Sequence, residues 1–239
     1  MGAVKIISRS GEAFASRDQA GKLLASHLTK FRGQNAVVLG IPRGGVLVAV
    51  RMAQELNMDF DVVLSHKLGA PYNPELAIGA VCEDGTFFVN KEIASQTDAD
   101  ENYIRIEKTR QLQRMTDRVK QYREILPKLD LRDKVAILTD DGIATGASMQ
   151  AAAWAVRREN PRKIVLAIPV GPEDSIMDIS KDADEIVCLR APPYFAALSQ
   201  FYLEFEQVED SALLEILEQY NHKRVKNENR ETQSGRRHC

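Results

Sequence analysis

Short, continuously apolar segments recur along the chain, and polar turns follow them. The five strongest lie at residues 36–39, 62–64, 135–138, 164–168 and 186–189. Because they are rich in Val and Ile and lack polar alternation, they are typical of parallel strands buried on both faces. Residues 45–56 and 146–158 carry apolar positions three and four apart, which indicates amphipathic helices. The pattern predicts an α/β fold, a doubly wound parallel sheet of about five strands with right-handed crossovers.

Two segments interrupt this alternation. Residues 77–90 contain two extended stretches around Asp84-Gly85, and Asp-Gly is a hairpin-turn signal. Residues 98–126 predict one long helix, capped near Thr97 or Asp98. We therefore expect residues 77–126 to be an insertion between core strands, contributing to a hood together with the terminal segments. The insertion could cover a ligand site or a partner subunit, and the pattern leaves both open.

Length and composition fit a single globular domain. The chain has 239 residues, of which 44% are hydrophobic and 28% charged. We predict one domain at residues 1–221, with its core at about 36–190 and a C-terminal hood at 191–221. Residues 222–239 are predicted to be a basic flexible tail, since they carry six Lys/Arg against two Glu.

Charge and hydropathy exclude several classes of partner. The whole chain has a net charge of −2, so a tail of +4 leaves the domain at −6, which argues against nucleic acid as the main partner. No apolar run approaches the ~20 residues of a membrane span, so no membrane partner is expected. The first residues lack the apolar region of a secretory signal, and we therefore expect a cytoplasmic protein.

The strongest chemical signal follows the apolar run at 135–138. There the chain reads Thr139-Asp140-Asp141-Gly142-Ile143-Ala144-Thr145-Gly146-Ala147-Ser148 and enters a helix. Unpaired N–H groups and a positive dipole at a helix N-terminus suit a phosphate dianion. The two carboxylates would repel that phosphate unless they accept hydrogen bonds from hydroxyls or face a divalent cation. A sugar phosphate with both features fits this turn.

Two further turns carry candidate ligand-binding groups. The run at 36–39 ends in Gly40-Ile41-Pro42-Arg43-Gly44-Gly45, where Arg43 and the backbone amides could grip a pyrophosphate. The alternative is an ordinary glycine-rich turn with a solvated arginine. After the run at 62–64, Lys67 precedes a Gly/Pro/Asn-rich segment at residues 68–75. Lys67 could reach the same anion or simply be solvated.

Together these motifs resemble the type I phosphoribosyltransferases. Residues 135–148 are similar to the family's signature for phosphoribosyl pyrophosphate (PRPP): apolar residues, two acidic residues, three variable ones, Thr-Gly and a small or hydroxyl pair. Residues 40–45 resemble the family's pyrophosphate loop, and residues 68–75 resemble its mobile catalytic loop. The resemblance covers about residues 36–205. By the same resemblance, the Arg43–Gly44 bond is the candidate for a cis peptide.

The resemblance implies an enzyme, a transferase that uses PRPP and Mg²⁺. It would move a phosphoribosyl group to a nitrogen acceptor, such as a nucleobase, and release pyrophosphate. Arg43 and Lys67 would be catalytic, and Asp140 and Asp141 would hold the ribose hydroxyls and Mg²⁺, the metal mostly through ligand oxygens and waters. Residues implied to contact PRPP are Arg43, Gly44, Gly45, Lys67, Asp140, Asp141, Ile143, Ala144, Thr145, Gly146, Ala147 and Ser148.

The acceptor is less well defined by the resemblance. Residues 191–205 loosely resemble the aromatic hood of purine-specific members, so Tyr194 or Phe195 could stack on an acceptor ring. The alternative is that these aromatic side chains pack the core of the hood itself. At Ala144 the 6-oxopurine members usually carry Asp, which puts guanine or hypoxanthine in doubt as the acceptor. The resemblance also implies a homodimer.

Two other classes of function stay open. The first is a regulatory protein that has the same fold and binds PRPP or a nucleotide without turnover. Some members of the family are regulators of this kind and act on RNA or DNA. The second is a PRPP-synthesising or phosphoribosyl-hydrolysing enzyme, although the sequence shows no ATP-site motif.

Overall fold

The structure is a computed structural model that describes residues 2–235, with the side chains of residues 2–222 and 224. Its strands are β1 (Ala3–Ser8), β2 (Ala36–Gly40), β3 (Asp59–Val62), β4 (Ser65–Gly69), β5 (Ala77–Cys82), β6 (Phe87–Val89), β7 (Val135–Thr139), β8 (Lys163–Val170) and β9 (Glu185–Arg190). Its α-helices are α1 (Arg17–His27), α2 (Gly44–Leu56), α3 (Lys91–Gln96), α4 (Glu101–Ile125), α5 (Ala147–Arg157), α6 (Glu173–Asp178) and α7 (Asp210–Gly235).

A parallel sheet with strand order β1-β9-β8-β7-β2-β3 forms the centre of the fold. Strands β2 and β7 are buried along their whole length, as their uninterrupted apolar sequences predict. Their register pairs Gly40 with Thr139, so both strands end side by side. The two turns with the strongest candidate chemistry follow these ends and therefore meet at the carboxyl edge of the sheet.

Hydrophobic side chains cover both faces of this sheet. One core joins α1, α2 and the first turns of α7 to residues such as Val38 and Val165. The other joins α5 and α6 to residues such as Ala136 and Ile164 on the opposite face. The predicted doubly wound α/β fold is confirmed.

The central sheet has six strands rather than about five. The additional strand is β1, which pairs with β9 from Ala3 opposite Glu185. Side chains along this edge strand alternate between exposed and half-buried, so it contains no continuous apolar run. Strand β3 also begins three residues earlier than predicted. Its sequence Asp-Phe-Asp-Val contains two acidic residues and is therefore not a continuous apolar run, although one of them, Asp61, is buried.

The insertion contains the predicted hairpin and long helix. Strands β5 and β6 form the hairpin, and β4 adds a third antiparallel strand. The long helix predicted at residues 98–126 corresponds to α4, and the short helix α3 precedes it outside the predicted range; Asp98, with φ +54°, lies between the two. Helix α4 begins after Asp100, whose side chain accepts a hydrogen bond from the backbone N–H of Tyr103 at 2.7 Å.

Arg123 fixes the end of α4 to the rest of the fold. Its Nη1 donates to Oδ1 of Asp61 at 2.6 Å, and its Nε donates to Oε2 of Glu83 at 2.7 Å. All three side chains are largely buried. This network holds the end of the long helix against β3, and the helix forms one wall of the candidate site.

Helix α7 extends into the predicted basic tail at residues 222–239, of which residues 236–239 lie outside the described residues. The division into a domain and a tail stays a prediction. Within residues 2–235, no helix combines the length and the apolar character that crossing a membrane requires.

Candidate active site

The loop at residues 140–146 joins β7 to the first turn of α5. Gly146 is the N-cap of α5 and adopts φ +77°, a conformation that few other residues accept. A Cβ atom on Gly146 would also lie 2.8 Å from Cγ2 of Ile179. Glycine is therefore required at this position by backbone conformation and by close packing, before any ligand is considered.

This loop presents its hydroxyl groups to solvent. Thr145 and Ser148 are exposed, whereas Ile143 and Ala147 are buried. The loop is held from below by the backbone N–H of Ile143, which donates to the carbonyl of Val170 at 2.9 Å. Both hydroxyls are thus open to a ligand, beside N–H groups that the first turn of a helix leaves without a helical partner, as an anion site requires.

The two adjacent carboxylates have different surroundings. Asp140 is half-buried, and its Oδ1 accepts a hydrogen bond from the backbone N–H of Asp141 at 2.8 Å. Asp141 is buried, and its Oδ2 accepts a hydrogen bond from Nε of Arg17 at 2.8 Å. The hydroxyl of Tyr202 donates to the backbone carbonyl of Asp141. Asp141 is therefore tied into the fold, while Asp140 has no side-chain cation of its own among the described residues.

This arrangement leaves more negative than positive charge at the end of β7. Burial, and then the proximity of Asp141, raise the pKa of Asp140 well above its ordinary value. Arg17 supplies one positive charge for two carboxylates, and Asp141 takes its hydrogen bond. A ligand that donates hydroxyl protons, or a divalent cation, would relieve the remaining charge on Asp140.

Sequence reasoning missed Arg17. It opens α1, far from the motifs in sequence, and its Nη1 also donates to the carbonyl of Glu206 at 3.0 Å. Its guanidinium lies over the ring of Phe205, 4.0 Å from the ring centre. Ser16 marks the start of the helix as an N-cap, but nothing in the local sequence indicates that the following arginine reaches a carboxylate on β7.

The glycines after β2 allow two loops to touch. A Cβ atom on Gly44 would lie 1.9 Å from Oδ2 of Asp141, and one on Gly45 would lie 2.7 Å from Cα of Asp140. The absence of side chains at Gly44 and Gly45 therefore leaves space for the acidic loop, and not only for a ligand. The expected cis peptide at Arg43–Gly44 is wrong by one residue, since the cis bond joins Pro42 and Arg43.

Arg43 faces the acidic start of α7. Its Nη1 lies 4.0 Å from Oε2 of Glu209 and 3.8 Å from Oδ1 of Asp210. Asp210 also lies 3.5 Å from Nη2 of Arg118, and it accepts a hydrogen bond from the hydroxyl of Tyr122 at 3.3 Å. One carboxylate thus occupies the space between two arginines from different parts of the chain.

A cavity of about 610 Å³ opens beside these groups, between the turn after β2, strand β4 and helix α4. Arg43, Lys67 and Ser148 line it, so the structure brings together one residue from each predicted motif. Residues 140–147 do not line the cavity and form the loop next to it. Nζ of Lys67 lies 2.9 Å from Oε2 of Glu75, which comes from the turn between β4 and β5.

The predicted acceptor residues lie outside this cavity. Tyr194 is 89% exposed. Phe195 stacks on Phe201 with ring centres 5.1 Å apart and an interplanar angle of 23°. Phe195 instead borders a separate surface cleft with Arg9 and Pro193.

In the described part of the chain, no group of three or more His, Cys, Asp and Glu side chains is placed to hold a metal ion. A metal at this site would therefore depend on oxygen atoms supplied by a ligand and by water as well as by the protein.

Comparison with known proteins defines the family. Residues 12–206 match the family model of the phosphoribosyl transferase domain. Two curated proteins from Mycobacterium tuberculosis, each named "Putative phosphoribosyl transferase", are 38% identical to this chain over 205 residues. The matched region covers 86% of this chain but only 46% of those relatives, so the chain spans about half their length.

A solved structure supports the same relationship. The crystal structure of TT1426 from Thermus thermophilus is 40% identical in sequence and superposes with a TM-score of 0.81. The match covers 87% of this chain and 98% of TT1426. The fold described above therefore extends over nearly the whole of that protein.

Proposed function

Because this chain belongs to the phosphoribosyl transferase family, we propose that it transfers a phosphoribosyl group from PRPP to a nitrogen acceptor and releases pyrophosphate. One observation carries this proposal. The exposed hydroxyls of Thr145 and Ser148 at the N-terminus of α5 stand beside a pair of carboxylates and a cavity lined by Arg43 and Lys67. Phosphate, ribose hydroxyls and pyrophosphate each find groups of suitable chemistry within this arrangement.

The 5′-phosphate of PRPP would bind at residues 144–148. Backbone N–H groups of the first turn of α5 and the hydroxyls of Thr145 and Ser148 would donate to its oxygens. The ribose hydroxyls would donate to Asp140. Asp141, buried and bound to Arg17, would position the loop rather than reach the sugar directly.

The residues at the end of β7 fit Mg²⁺ as a partner of PRPP. Asp140 is a carboxylate without a side-chain cation of its own among the described residues, and burial first, then the neighbouring Asp141, raise its pKa. Asp140 would hold the ion, directly or through water, and PRPP oxygens would complete its coordination. When bound, Mg²⁺ would neutralise part of the charge on the leaving pyrophosphate.

In the transfer itself, the acceptor nitrogen would use its lone pair to form a bond with C1 of the ribose. The bond from C1 to the pyrophosphate oxygen breaks, its electron pair stays with pyrophosphate, and the N–H proton of the acceptor leaves to solvent. Arg43 and Lys67 would stabilise the negative charge that develops on pyrophosphate. Both must first exchange their present carboxylate partners, Asp210 and Glu75, for the ligand.

The turn at residues 70–76 would close over the bound ligand. It joins β4 to β5, carries Glu75 next to Lys67, and exposes 91% of Tyr72. Closure of such a turn excludes water while pyrophosphate leaves. Movement of the turn would carry Glu75 with it, so that Lys67 would exchange its ion pair with Glu75 for contact with the ligand.

A screen of nucleobases, amines and amino-benzoates with PRPP and Mg²⁺ tests this proposal, with pyrophosphate release as the readout. We expect release that depends on at least one acceptor and is lost in Lys67→Gln. Lys91→Gln is a matched control, since Lys91 begins α3 and does not line the cavity. If no acceptor gives release above the background without acceptor, the transferase proposal fails.

One contact favours a second candidate function, a regulator that binds PRPP without turnover. Arg43 is paired with the first residue of α7, so a ligand on Arg43 would compete with Asp210 and could move that helix. Tight binding of PRPP without pyrophosphate release from any acceptor, together with a ligand-dependent change in protection of α7 from hydrogen exchange, would support the regulator instead.

A further inference from the structure

Helix α4 carries a row of arginines that the proposed function does not use. Arg110, Arg114 and Arg118 are four residues apart and therefore lie on one face of the helix, spanning about 12 Å. All three line the cavity that also contains Arg43 and Lys67. Like charges at this spacing repel each other, so the row is unfavourable to the helix unless an anion compensates it.

The charges around this row are only partly balanced within the protein. Nε of Arg110 lies 3.3 Å from Oε2 of Glu107, and Nη2 of Arg118 lies 3.5 Å from Oδ2 of Asp210. Arg114, between them, forms no ion pair or hydrogen bond with any of the described side chains, those of residues 2–222 and 224. Five cationic side chains line the cavity against two carboxylates, those of Glu75 and Glu107.

The row is directed toward the strand that carries Lys67. Nδ1 of His66 lies 3.1 Å from Oε1 of Gln111, whose Nε2 donates to Oε1 of Glu107 at 2.6 Å. Burial, and to a smaller extent the positive charges of Arg118 and Arg114, lower the pKa of His66. The positive charges of Arg114 and Arg118 are therefore felt in the space between α4 and β4, where His66 lies.

We propose that Arg114 and Arg118 form an anion subsite for the acceptor, so that the acceptor is a nitrogen compound bearing a carboxylate or phosphate group. This inference rests on the proposed transferase function, in which Arg43 and Lys67 already serve the pyrophosphate. Met115 and Val119 line the same wall and offer an apolar surface to a ring. An acidic ring compound would then contact apolar side chains with its ring and the arginines with its acid.

Matched probes test the subsite in the full chain. Ribose 5-phosphate, Mg²⁺ and pyrophosphate are added to saturation, so that the phosphoribosyl site is filled without turnover. Calorimetry then compares 2-aminobenzoate with aniline for the carboxylate, and 4-aminophenyl phosphate with 4-aminophenol for the phosphate. Arg105→Gln is the control, because Arg105 lies on α4 outside the cavity and donates to Asn102 at 2.8 Å.

We expect at least one acidic probe to bind tenfold more tightly than its neutral counterpart, in the natural chain and in Arg105→Gln. That preference should fall below threefold in the double variant Arg114→Gln/Arg118→Gln, with its melting temperature showing that it is folded. Equal binding of acidic and neutral probes, a preference that survives in the double variant, or no binding of any acidic probe overturns the proposal. Failure of ribose 5-phosphate and pyrophosphate to bind would instead contradict the transferase function itself.

Discussion

Replacing Arg17 by methionine should destabilise the folded chain by about 3–5 kcal/mol, the usual cost of removing one partner of a buried ion pair. The Arg17 and Asp141 side chains are only 9% and 12% exposed, so water cannot replace the lost guanidinium. The variant leaves an uncompensated carboxylate beside Asp140, which already carries excess negative charge. Methionine keeps much of the packing against Phe205, which separates the charge effect from a cavity effect.

Urea unfolding measures this loss. With a slope of about 2–3 kcal/mol per molar, the midpoint of unfolding should fall by roughly 1–2.5 M. Arg9→Met is the matched control, since Arg9 pairs with Glu173 at 2.7 Å but the two side chains are 66% and 43% exposed. Because water solvates both groups of such an exposed pair, its loss should barely move the midpoint of unfolding.

A double variant identifies the cause. Arg17→Met combined with Asp141→Asn should be more stable than Arg17→Met alone, because the unpaired charge is removed together with its partner. If Arg17→Met and the control lower the midpoint equally, or if the second substitution destabilises the chain further, then Asp141 does not depend on Arg17 and this account of the loop is wrong.

Three further changes test other parts of the site. Asp140→Asn should raise the free energy of unfolding at neutral pH. The folded chain holds the Asp140 proton more tightly than the unfolded chain, so ionising Asp140 lowers stability as pH rises above the ordinary pKa of this group. This gain should vanish below the ordinary pKa of 3.8, and unfolding at a series of pH values checks it; a gain that is the same at every pH argues against it. Asp210→Asn should tighten pyrophosphate binding several-fold by removing a competitor for Arg43, whereas Glu218→Gln on the exposed side of α7 should not; equal affinities by calorimetry would count against the competition. Deleting residues 70–73 should abolish pyrophosphate release while PRPP affinity stays within a few-fold, and equal losses of both would show that the turn holds the ligand rather than excluding water.

The sheet was largely predictable because its central strands are buried on both faces. A continuous apolar sequence such as that of β7 has few alternative structures in a domain of this size other than a buried parallel strand. Strand β1 was missed since it lies at the sheet edge, where Lys5 and other partly exposed residues interrupt the apolar pattern. Such a strand is determined by its pairing with β9 and not by its own sequence.

The candidate site was predictable only where its chemistry is local. The loop at residues 140–148 has its glycines, hydroxyls and carboxylates in one short stretch of sequence, so its motif could be recognised. The partners Arg17 and Asp210 come from opposite ends of the chain and meet the site through tertiary packing. The arginine row of α4 recurs every four residues in the sequence, but which side of the helix faces the cavity is decided by tertiary packing.

Binding of Mg²⁺ and PRPP to the full chain and to Thr145→Val tests the central claim most directly. Thr145 is exposed, and its one hydrogen bond from a described residue is a 3.4 Å contact with the backbone N–H of Ala147, so the substitution removes a phosphate ligand with little effect on the fold. Calorimetry should show a loss of affinity of more than tenfold, about 1.4 kcal/mol. Thr116→Val, on the exposed surface of α4, should bind PRPP as the natural chain does. Equal affinity of Thr145→Val and the natural chain would contradict the assignment of this loop to the phosphate of PRPP.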